Sequence, residues 1–417
     1  MNPRTAGRDR LATIDFLFSI LDAPRRPLDF TLIFHLREAP GVEALRAGAR
    51  SARSLYAATA SRVVNKRWVR FDERGDGLAA VSVSTGEDAT GAVEEFIDGP
   101  FDPRGHAPVR QLVITNGRGA KLVTRFHHAA ADGLSAALWL GHQLRVAYGE
   151  ESPAREASPF ESPALRTHQS PVRRSRFAYA GPSDRLWSPG ARPSRTRRWL
   201  TIKIAAAELR GACRKAGGFT YNDLLATCAL ETFARWNRAH RAGRAQKVGL
   251  WLPVNVRRRP SAGFGNGTSR VRLYARYDAA APLADKCREI RRQLSWCVEH
   301  GEWAVPEKLP LASLPLWAAA PLLRGYLTRP RVDVTTGVFS HAERWAGEGG
   351  EIFRHVEKIE CVGQLHARHC AGITGATHAG LTWLTFTYDP ALLPPEYAGR
   401  LVGMYEEQID QARRELR

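Results

Sequence analysis

The 417-residue sequence has no long uninterrupted apolar segment. Residues 1–10 are polar and basic with no apolar run behind them, a pattern that predicts no secretion signal. The most apolar stretch, residues 309–327, is broken by three prolines and an arginine, whereas a spanning helix needs about 20 apolar residues. We therefore predict no transmembrane helix. Core packing is the favoured role for this stretch, ahead of an acyl-chain channel wall or a membrane-surface element.

Cysteine is also scarce, with six residues scattered through the chain. That distribution is typical of free thiols in a cytoplasmic protein rather than of a disulfide framework. One cluster of candidate metal ligands has an unusual spacing that fits none of the common structural zinc patterns. We therefore predict no metal and a tight loop at these positions: Cys361, His366, His369 and Cys370.

Acidic residues are fewer than basic ones, at 42 against 61, which gives a net charge of +19 and a pI near 10.2. Such a charge favours anionic partners, among them coenzyme A phosphates, an acidic carrier protein and an anionic membrane surface. A solvated, arginine-rich surface with no such partner explains the charge equally well. The sequence has no helix-turn-helix, zinc-finger or RNP motif, so we predict no nucleic-acid binding.

The chain is longer than one hydrophobic core usually organises, so we predict two lobes. Hydrophobic residues make up 44% of the sequence, which favours a globular protein over a disordered one. Residues 151–198 are rich in proline, serine and arginine and keep no periodicity, as in a linker or long crossover. The predicted lobes are residues 1–150 and 199–417.

Apolar periodicity predicts alternating strands and helices, and hence a mixed α/β fold with helix-covered sheets. In the first half we predict strands at 26–36, 68–72, 112–115 and 122–126, a long or broken helix over 41–64, and a helix ending near Tyr148. In the second half we predict strands at 198–204, 248–256, 271–277, 332–340 and 381–388, a turn at 263–269, and helices from Ala206, from an Asn222 cap, and at the end of the chain.

One stretch stands out chemically: Arg125-Phe-His-His-Ala-Ala-Ala-Asp-Gly-Leu-Ser135. Residues 121–126 before it alternate as a strand, and the apolar residues after it recur at helical spacing, with Ser135 as a plausible cap. His127, His128 and Asp132 therefore lie on a strand-to-helix turn. In α/β folds, such turns carry side chains into a crevice.

A neutral imidazole can take the proton of a hydroxyl or amine as that group attacks an acyl carbon. An acyl donor that is already a thioester needs no enzyme nucleophile, so one histidine suffices. Because adjacent side chains at a strand end point in opposite directions, one of His127 and His128 is structural. We expect Asp132 to pair with an arginine, and Gly133 to allow a backbone angle or close approach that a Cβ would block.

This stretch matches the HHxxxDG motif of the superfamily that holds nonribosomal-peptide condensation domains, wax ester synthase/diacylglycerol acyltransferases and chloramphenicol-acetyltransferase-like enzymes. The resemblance extends over nearly the whole chain, in the expected order. The N-terminal Leu11–Phe18 resembles the wax ester synthase branch, whereas Ser135 is closer to a condensation domain. The other matching segments are Phe101-Asp102, Pro108–Arg110, Thr220–Ala226, Pro253–Arg257 and Gly265-Asn266.

The resemblance implies a two-lobed, chloramphenicol-acetyltransferase-like sandwich with the active channel between the lobes. It implies acyl transfer from a coenzyme A or carrier-protein (phosphopantetheinyl) thioester to an alcohol or amine, with no bound cofactor or metal. His128 would be the base or a positioning group, and Arg257 the partner of Asp132. Weaker candidates are the Gly133 backbone and Ser340 for polarising the acyl oxygen, and Asn266 for support.

We expect such a protein to act as a cytoplasmic monomer, and peripheral association with a membrane stays open. Two other functions stay open at this point. The chain could be a non-catalytic carrier-protein docking member of the same fold, since a motif alone does not prove turnover. It could also be a basic peripheral protein that acts at anionic lipid.

Overall fold

A computed structural model gives the fold. It describes residues 11–22, 28–64, 66–70, 78–82, 89–116, 119–150, 164–167, 183–194, 196–241, 247–258, 263–276, 278–304, 314–327, 335–343, 352–366 and 369–417. Most of the predicted linker, 151–198, therefore lies outside the described residues.

The described residues form an α/β protein with mixed sheets covered by helices, as predicted. The helices are α1 Thr13–Leu21, α2 Val42–Leu55, α3 Thr90–Asp98, α4 Gly133–Ala147, α5 Ala206–Ala216, α6 Tyr221–His240, α7 Leu283–Glu299, α8 Leu316–Leu327 and α9 Pro395–Glu415. The strands are β1 Asp29–Leu36, β2 Ser61–Val64, β3 Arg67–Arg70, β4 Leu78–Ser82, β5 Val109–Asn116, β6 Gly119–His127, β7 Arg198–Ala205, β8 Lys247–Asn255, β9 Thr268–Arg276, β10 Gly337–Ala342, β11 Val356–Val362, β12 Ala371–His378 and β13 Leu381–Tyr388.

The first sheet has the strand order β11-β1-β6-β5-β4. Its central strand, β6, runs antiparallel to both β1 and β5, and the β5–β6 hairpin lies where the Asn116-Gly117 turn predicts it. β6 delivers the motif histidines from the middle of the sheet, where the backbone is hydrogen-bonded on both sides. The histidines therefore lie on a rigid support.

Helices α2 and α4 cover one face of this sheet. Trp139 of α4 is fully buried, meets the Phe126 ring edge-on at 5.7 Å and donates its Nε1–H to Thr59 Oγ1 at 3.2 Å. Gly48 allows the close approach of the two helices, because a Cβ there would collide with the Gln143 carbonyl. Burial of large side chains such as Trp139, at about 1.5–3 kcal/mol each, fixes the helix that follows the motif.

The second sheet has the order β7-β13-β12-β10-β8-β9, and α6 runs through its apolar core. The predicted Asn222 cap of α6 is wrong by two residues. Thr220 is the N-cap, and it forms a capping box with Asp223. Asn222 is the second residue of the helix, and its Oδ1 lies 3.2 Å from His341 Nδ1.

Two other predictions need correction. Residues 41–64 are not one helical stretch, because α2 ends at Leu55 and the short strand β2 occupies Ser61–Val64. The apolar stretch 309–327 holds α8, which buries Ala319 against α1 but leaves Trp317 80% exposed. The favoured core assignment therefore describes only one face of α8. Among the described residues, no helix is long and apolar enough to cross a bilayer.

The second half of the sequence contributes one strand to the first sheet. β11, from the second half, completes the first sheet by pairing antiparallel with β1, from Thr31↔Val362 to Leu36↔Val356. β11 also packs beside β12 and β13 of the second sheet through the Cys361 N–H, which donates to Thr385 Oγ1 at 3.1 Å. This strand therefore joins the two sheets next to the motif-bearing β1–β6 pair.

Candidate active site

The motif turn, residues 127–132, connects β6 to α4. Its entry is fixed by backbone hydrogen bonds from the His127 N–H to Pro108 and from the His128 N–H to Leu28, at 2.9 and 2.8 Å. Its exit is capped by Asp132, whose side chain accepts the Ser135 N–H at 3.0 Å. The predicted Ser135 cap is thus wrong, and Ser135 is the residue whose amide is capped.

His127 is completely buried. Its Nδ1 accepts the Ala129 N–H at 3.0 Å, which leaves the proton of a neutral ring on Nε2. Nε2 lies 3.4 Å from Asp22 Oδ1, and the Phe101 ring stands edge-on at 5.9 Å. These contacts enclose the His127 ring and give it a structural part in the turn.

His128 is the less buried of the two histidines. Its ring lies between Phe18, stacked at 4.9 Å, and Phe30, tilted at 4.6 Å. Burial lowers the pKa of His128 to about 4, and the neighbouring His127 acts in the same direction. The imidazole is therefore neutral at neutral pH and can accept a proton.

Asp132 and Arg257 form a buried bidentate ion pair. Arg257 Nη1 donates to Asp132 Oδ2 at 2.8 Å, and Nη2 donates to Oδ1 at 2.9 Å. The Gly267 N–H and Thr268 Oγ1–H also donate to Oδ2. Burial alone would raise the pKa of Asp132, but Arg257 and these donors hold it below its usual value. With its oxygens occupied by these donors, the carboxylate supports the turn rather than reacting.

The predicted turn at 263–269 packs against this ion pair: the Gly265 carbonyl accepts from Arg257 Nη2, and the Gly267 N–H donates to Asp132. Gly263 and Gly265 have positive φ, at 84° and 119°, as a tight turn requires. Ser135 Oγ donates to the Gly265 carbonyl at 2.7 Å and accepts the Gly265 N–H at 2.9 Å. These hydrogen bonds join the start of α4 to the segment between β8 and β9 of the second sheet.

Asn266 occupies the centre of the turn and faces the motif. Its Nδ2 donates to the His128 carbonyl at 2.6 Å and to Asp15 Oδ1 at 2.8 Å. Because both neighbours are acceptors, the amide nitrogen must face them, which fixes the orientation of this side chain. Burial raises the pKa of Asp15 to about 7, despite the hydrogen bond from Asn266.

The sequence reasoning missed the contribution of α1. Three residues on one face of this helix contact the motif: Asp15 through Asn266, Phe18 against the His128 ring, and Asp22 beside His127. Their i, i+3, i+7 spacing is that of one helix face. The available signal was two acidic residues, Asp15 within an apolar helix and Asp22 directly after it. They interrupt the apolar pattern but do not show which residues they contact.

Gly133 and Ser340 are the two remaining predicted site residues, and the structure tests only the prediction for Gly133. Gly133 is the first residue of α4, has no positive φ, and would place a Cβ where nothing lies within 4 Å. The prediction that Gly133 is needed for an unusual backbone angle or for close approach of another protein segment is therefore wrong. Ser340 lies half-buried on β10 beside Thr374 of β12; its proposed part in polarising an acyl oxygen stays a prediction.

The candidate metal ligands are distributed over three segments. Cys361 is on β11, so the tight loop predicted at these positions is wrong for this residue. Cys370 directly precedes β12 in the apolar core of the second sheet, and His369 Nε2 lies 3.0 Å from Thr335 Oγ1. Among the described residues, no three histidine, cysteine or acidic side chains come together as a metal site would require.

Comparison with solved structures places this geometry in a known fold. The first condensation domain of the calcium-dependent antibiotic synthetase superposes with a TM-score of 0.72 at 15% identity, over 97% of this chain and 96% of that chain. Polyketide synthase associated protein 5 from Mycobacterium tuberculosis gives 0.63 at 15% identity, over 97% and 98%. The wax ester synthase/diacylglycerol acyltransferase from Marinobacter aquaeolei VT8 gives 0.60 at 15% identity, over 98% and 99%.

Sequence comparison reaches less far. No protein-family model matches the chain. Two uncharacterised proteins of Mycobacterium tuberculosis, MT2362 and Rv2305, are 27% identical over 193 residues. The match covers 43% of this chain and 44% of the length of those relatives. The chain thus has the fold of these solved structures, the two-lobed, chloramphenicol-acetyltransferase-like fold that the sequence analysis expected.

Proposed function

We propose that the protein transfers an acyl group from a coenzyme A or carrier-protein thioester to a hydroxyl or amine acceptor. The observation that carries the proposal is the state of His128: a neutral imidazole, clamped between two aromatic rings on a turn whose backbone is fixed at both ends. A general base must be unprotonated and held in a fixed position, and His128 meets both conditions.

In the proposed reaction, the acceptor O–H or N–H approaches Nε2 of His128, because Nδ1 is buried. As the acceptor attacks the thioester carbonyl, the new C–O or C–N bond forms and its proton passes to Nε2. The tetrahedral intermediate then expels the thiolate as the C–S bond breaks, and the imidazolium returns the proton to sulfur. The base is regenerated, and neither a metal nor a redox group takes part.

The developing oxyanion needs hydrogen-bond donors. The N–H of Gly133 is at the first position of α4, where helical amides have no intrahelical acceptor. The helix dipole adds a partial positive charge at the same end. We therefore propose the Gly133 amide as a donor to the acyl oxygen, with Ser340 as the weaker candidate.

The test is intact-mass spectrometry of reactions that combine acyl-coenzyme A or acyl-carrier protein with a panel of alcohols and amines. We expect a condensed product with wild type, and His128→Ala should lower turnover by about 10² to 10⁴ with folding intact. His300→Ala is the matched control, since His300 stacks on Trp296 at the end of α7. Undiminished turnover by His128→Ala would refute the assignment, and carrier-protein binding without turnover would favour the docking function.

The exposed side chains of α8 favour a second function, which is binding to an anionic lipid surface. Trp317 and Leu322 are 80% and 57% exposed, while the opposite face of the helix packs on α1. Exposed aromatic and aliphatic side chains on a strongly basic protein suit an anionic lipid surface. We propose that α8 docks on such a surface, next to the helix that contacts His128.

A further inference from the structure

Asp15 is a buried carboxyl that the proposed chemistry does not use. Only 5% of the residue is exposed, and it lies in the first turn of α1. The Asn266 amide and the backbone of Ala12 are its hydrogen-bond partners. A buried carboxyl with so few donors is costly when ionised, so its retention beside the motif calls for an explanation.

The connection to His128 is short. The same Asn266 nitrogen that donates to Asp15 also donates to the His128 carbonyl at 2.6 Å. The helix that carries Asp15 also carries Phe18, which stacks on the His128 ring. Asp15 therefore contacts the backbone of His128 through one side chain and shares a rigid helix with a ring that contacts its imidazole.

We infer that Asp15 is a positioning residue for His128, which it holds through the side-chain amide of Asn266, and that ionisation of Asp15 tightens this hold. A hydrogen bond to a carboxylate is shorter and stronger than one to a neutral acid. A negative charge nearby also favours the imidazolium that forms when His128 takes a proton. The kinetic part of this inference rests on the proposed function.

The surroundings of Asp15 set the pH at which this occurs. Burial raises its pKa to about 7, and the charge of Asp132 acts in the same direction. Arg257 neutralises Asp132 through the bidentate pair, and Lys66 Nζ lies over the adjacent Phe16 ring at 5.5 Å. With His128, whose carbonyl shares the Asn266 amide with Asp15, these are the titratable and charged groups that the described contacts place around Asp15. Asp15 thus changes charge near neutral pH, well above the protonation of His128.

The test without substrate is NMR of histidine-labelled protein over a pH series, with His128 assigned through a His128→Gln variant. In wild type we expect the His128 resonance to shift near pH 7, separately from its own protonation near pH 4. Asp15→Asn, which keeps the size but cannot ionise, should abolish the shift near pH 7. Asp278→Asn, at an exposed position in the second half, should keep it. A shift that persists in Asp15→Asn, or is absent from wild type, overturns the inference.

The kinetic arm uses the same variants. We expect wild-type kcat to rise by about 10-fold through pH 7, which corresponds to one pKa unit of interaction with the imidazolium. Asp15→Asn should stay at the low-pH level with little change in KM, and Asp278→Asn should follow wild type. Equal profiles for wild type and Asp15→Asn would overturn the inference. If wild type has no turnover at any pH, the proposed function fails, while the NMR shift still decides whether Asp15 is coupled to His128.

Discussion

Arg257 and Asp132 meet through two parallel hydrogen bonds, one from each terminal guanidinium nitrogen to each carboxylate oxygen. Both side chains are almost completely buried, and they come from segments that are distant in sequence. The pair joins the cap of α4 to the segment that directly follows β8. It therefore determines whether the motif turn keeps its position relative to the second sheet.

Replacing Arg257 by Gln should lower the free energy of unfolding by about 3–5 kcal/mol, because it leaves the Asp132 carboxylate buried and unpaired. Chemical denaturation measures this loss. Arg288→Gln, which breaks an exposed i,i+3 pair with Asp285, is the control and should cost under about 1 kcal/mol. Adding Asp132→Asn to Arg257→Gln should restore part of the loss. Equal losses in Arg257→Gln and the control would contradict the structural role of this pair.

Gly133→Ala separates stability from chemistry. The first residue of α4 has room for a Cβ, and alanine favours helix over glycine by up to about 1 kcal/mol, so the melting temperature should be unchanged or slightly higher. If the Gly133 amide contacts the acyl oxygen, the added methyl group should lower kcat/KM. Gly403→Ala in α9, which also has open space, is the matched control for the stability effect. Full activity in Gly133→Ala would remove this amide from the proposed oxyanion site.

The depressed pKa of His128 has a consequence for stability. The unfolded chain protonates this histidine near 6.5, whereas the folded protein does so near 4. Between these values the unfolded state binds more protons, so the free energy of unfolding falls as the pH falls. His128→Gln should remove this contribution, so wild type should lose stability relative to the variant as the pH falls from 6.5 to 4. Denaturation midpoints across that range measure the difference, and a constant difference would contradict the depressed pKa.

Lipid binding through α8 predicts a specific pattern in vesicle sedimentation. Wild type should bind vesicles that contain phosphatidylserine more strongly than pure phosphatidylcholine, and binding should weaken as salt rises. Replacing Trp317 and Leu322 together by Ala should reduce binding about 10-fold, because each removes apolar surface that would be buried in the interface. Val298→Ala, which changes a half-exposed side chain on α7, should bind as wild type does. Wild-type binding by the Trp317/Leu322 variant would contradict docking by α8.

Local patterns in the sequence predicted much of the fold. The β5–β6 hairpin, the start of α5 at Ala206 and β13 with the helix that follows it were predicted from periodicity and turn residues that act over a few positions. Strands β11 and β12 were not predicted. Helix caps were less accurate, since Thr220 and Asn222 are both good capping residues and only the reciprocal bond with Asp223 decides between them.

In the candidate site, too, contacts within one short segment were predictable, whereas contacts between distant segments were not. The motif turn was predictable because its residues are contiguous, and the pairing of Arg257 with Asp132 followed from resemblance rather than from spacing. The contacts of Asp15 and Phe18 with the motif were not predictable, because they depend on how α1 packs against residues more than a hundred positions away. The open space beside Gly133 was not predictable either, because it depends on which segments pack against the turn.

The pairing of β11 with β1 affects how the chain can fold. β1 is made long before residues 356–362, and until they are made one of its edges stays uncovered. Contacts of such large sequence separation form slowly, and an uncovered apolar strand edge is a site of aggregation. A fragment that ends near residue 150 would keep this edge open. The sheet that carries the histidines is therefore complete only once residues 356–362 have been made, so the first half of the sequence does not fold as an independent unit.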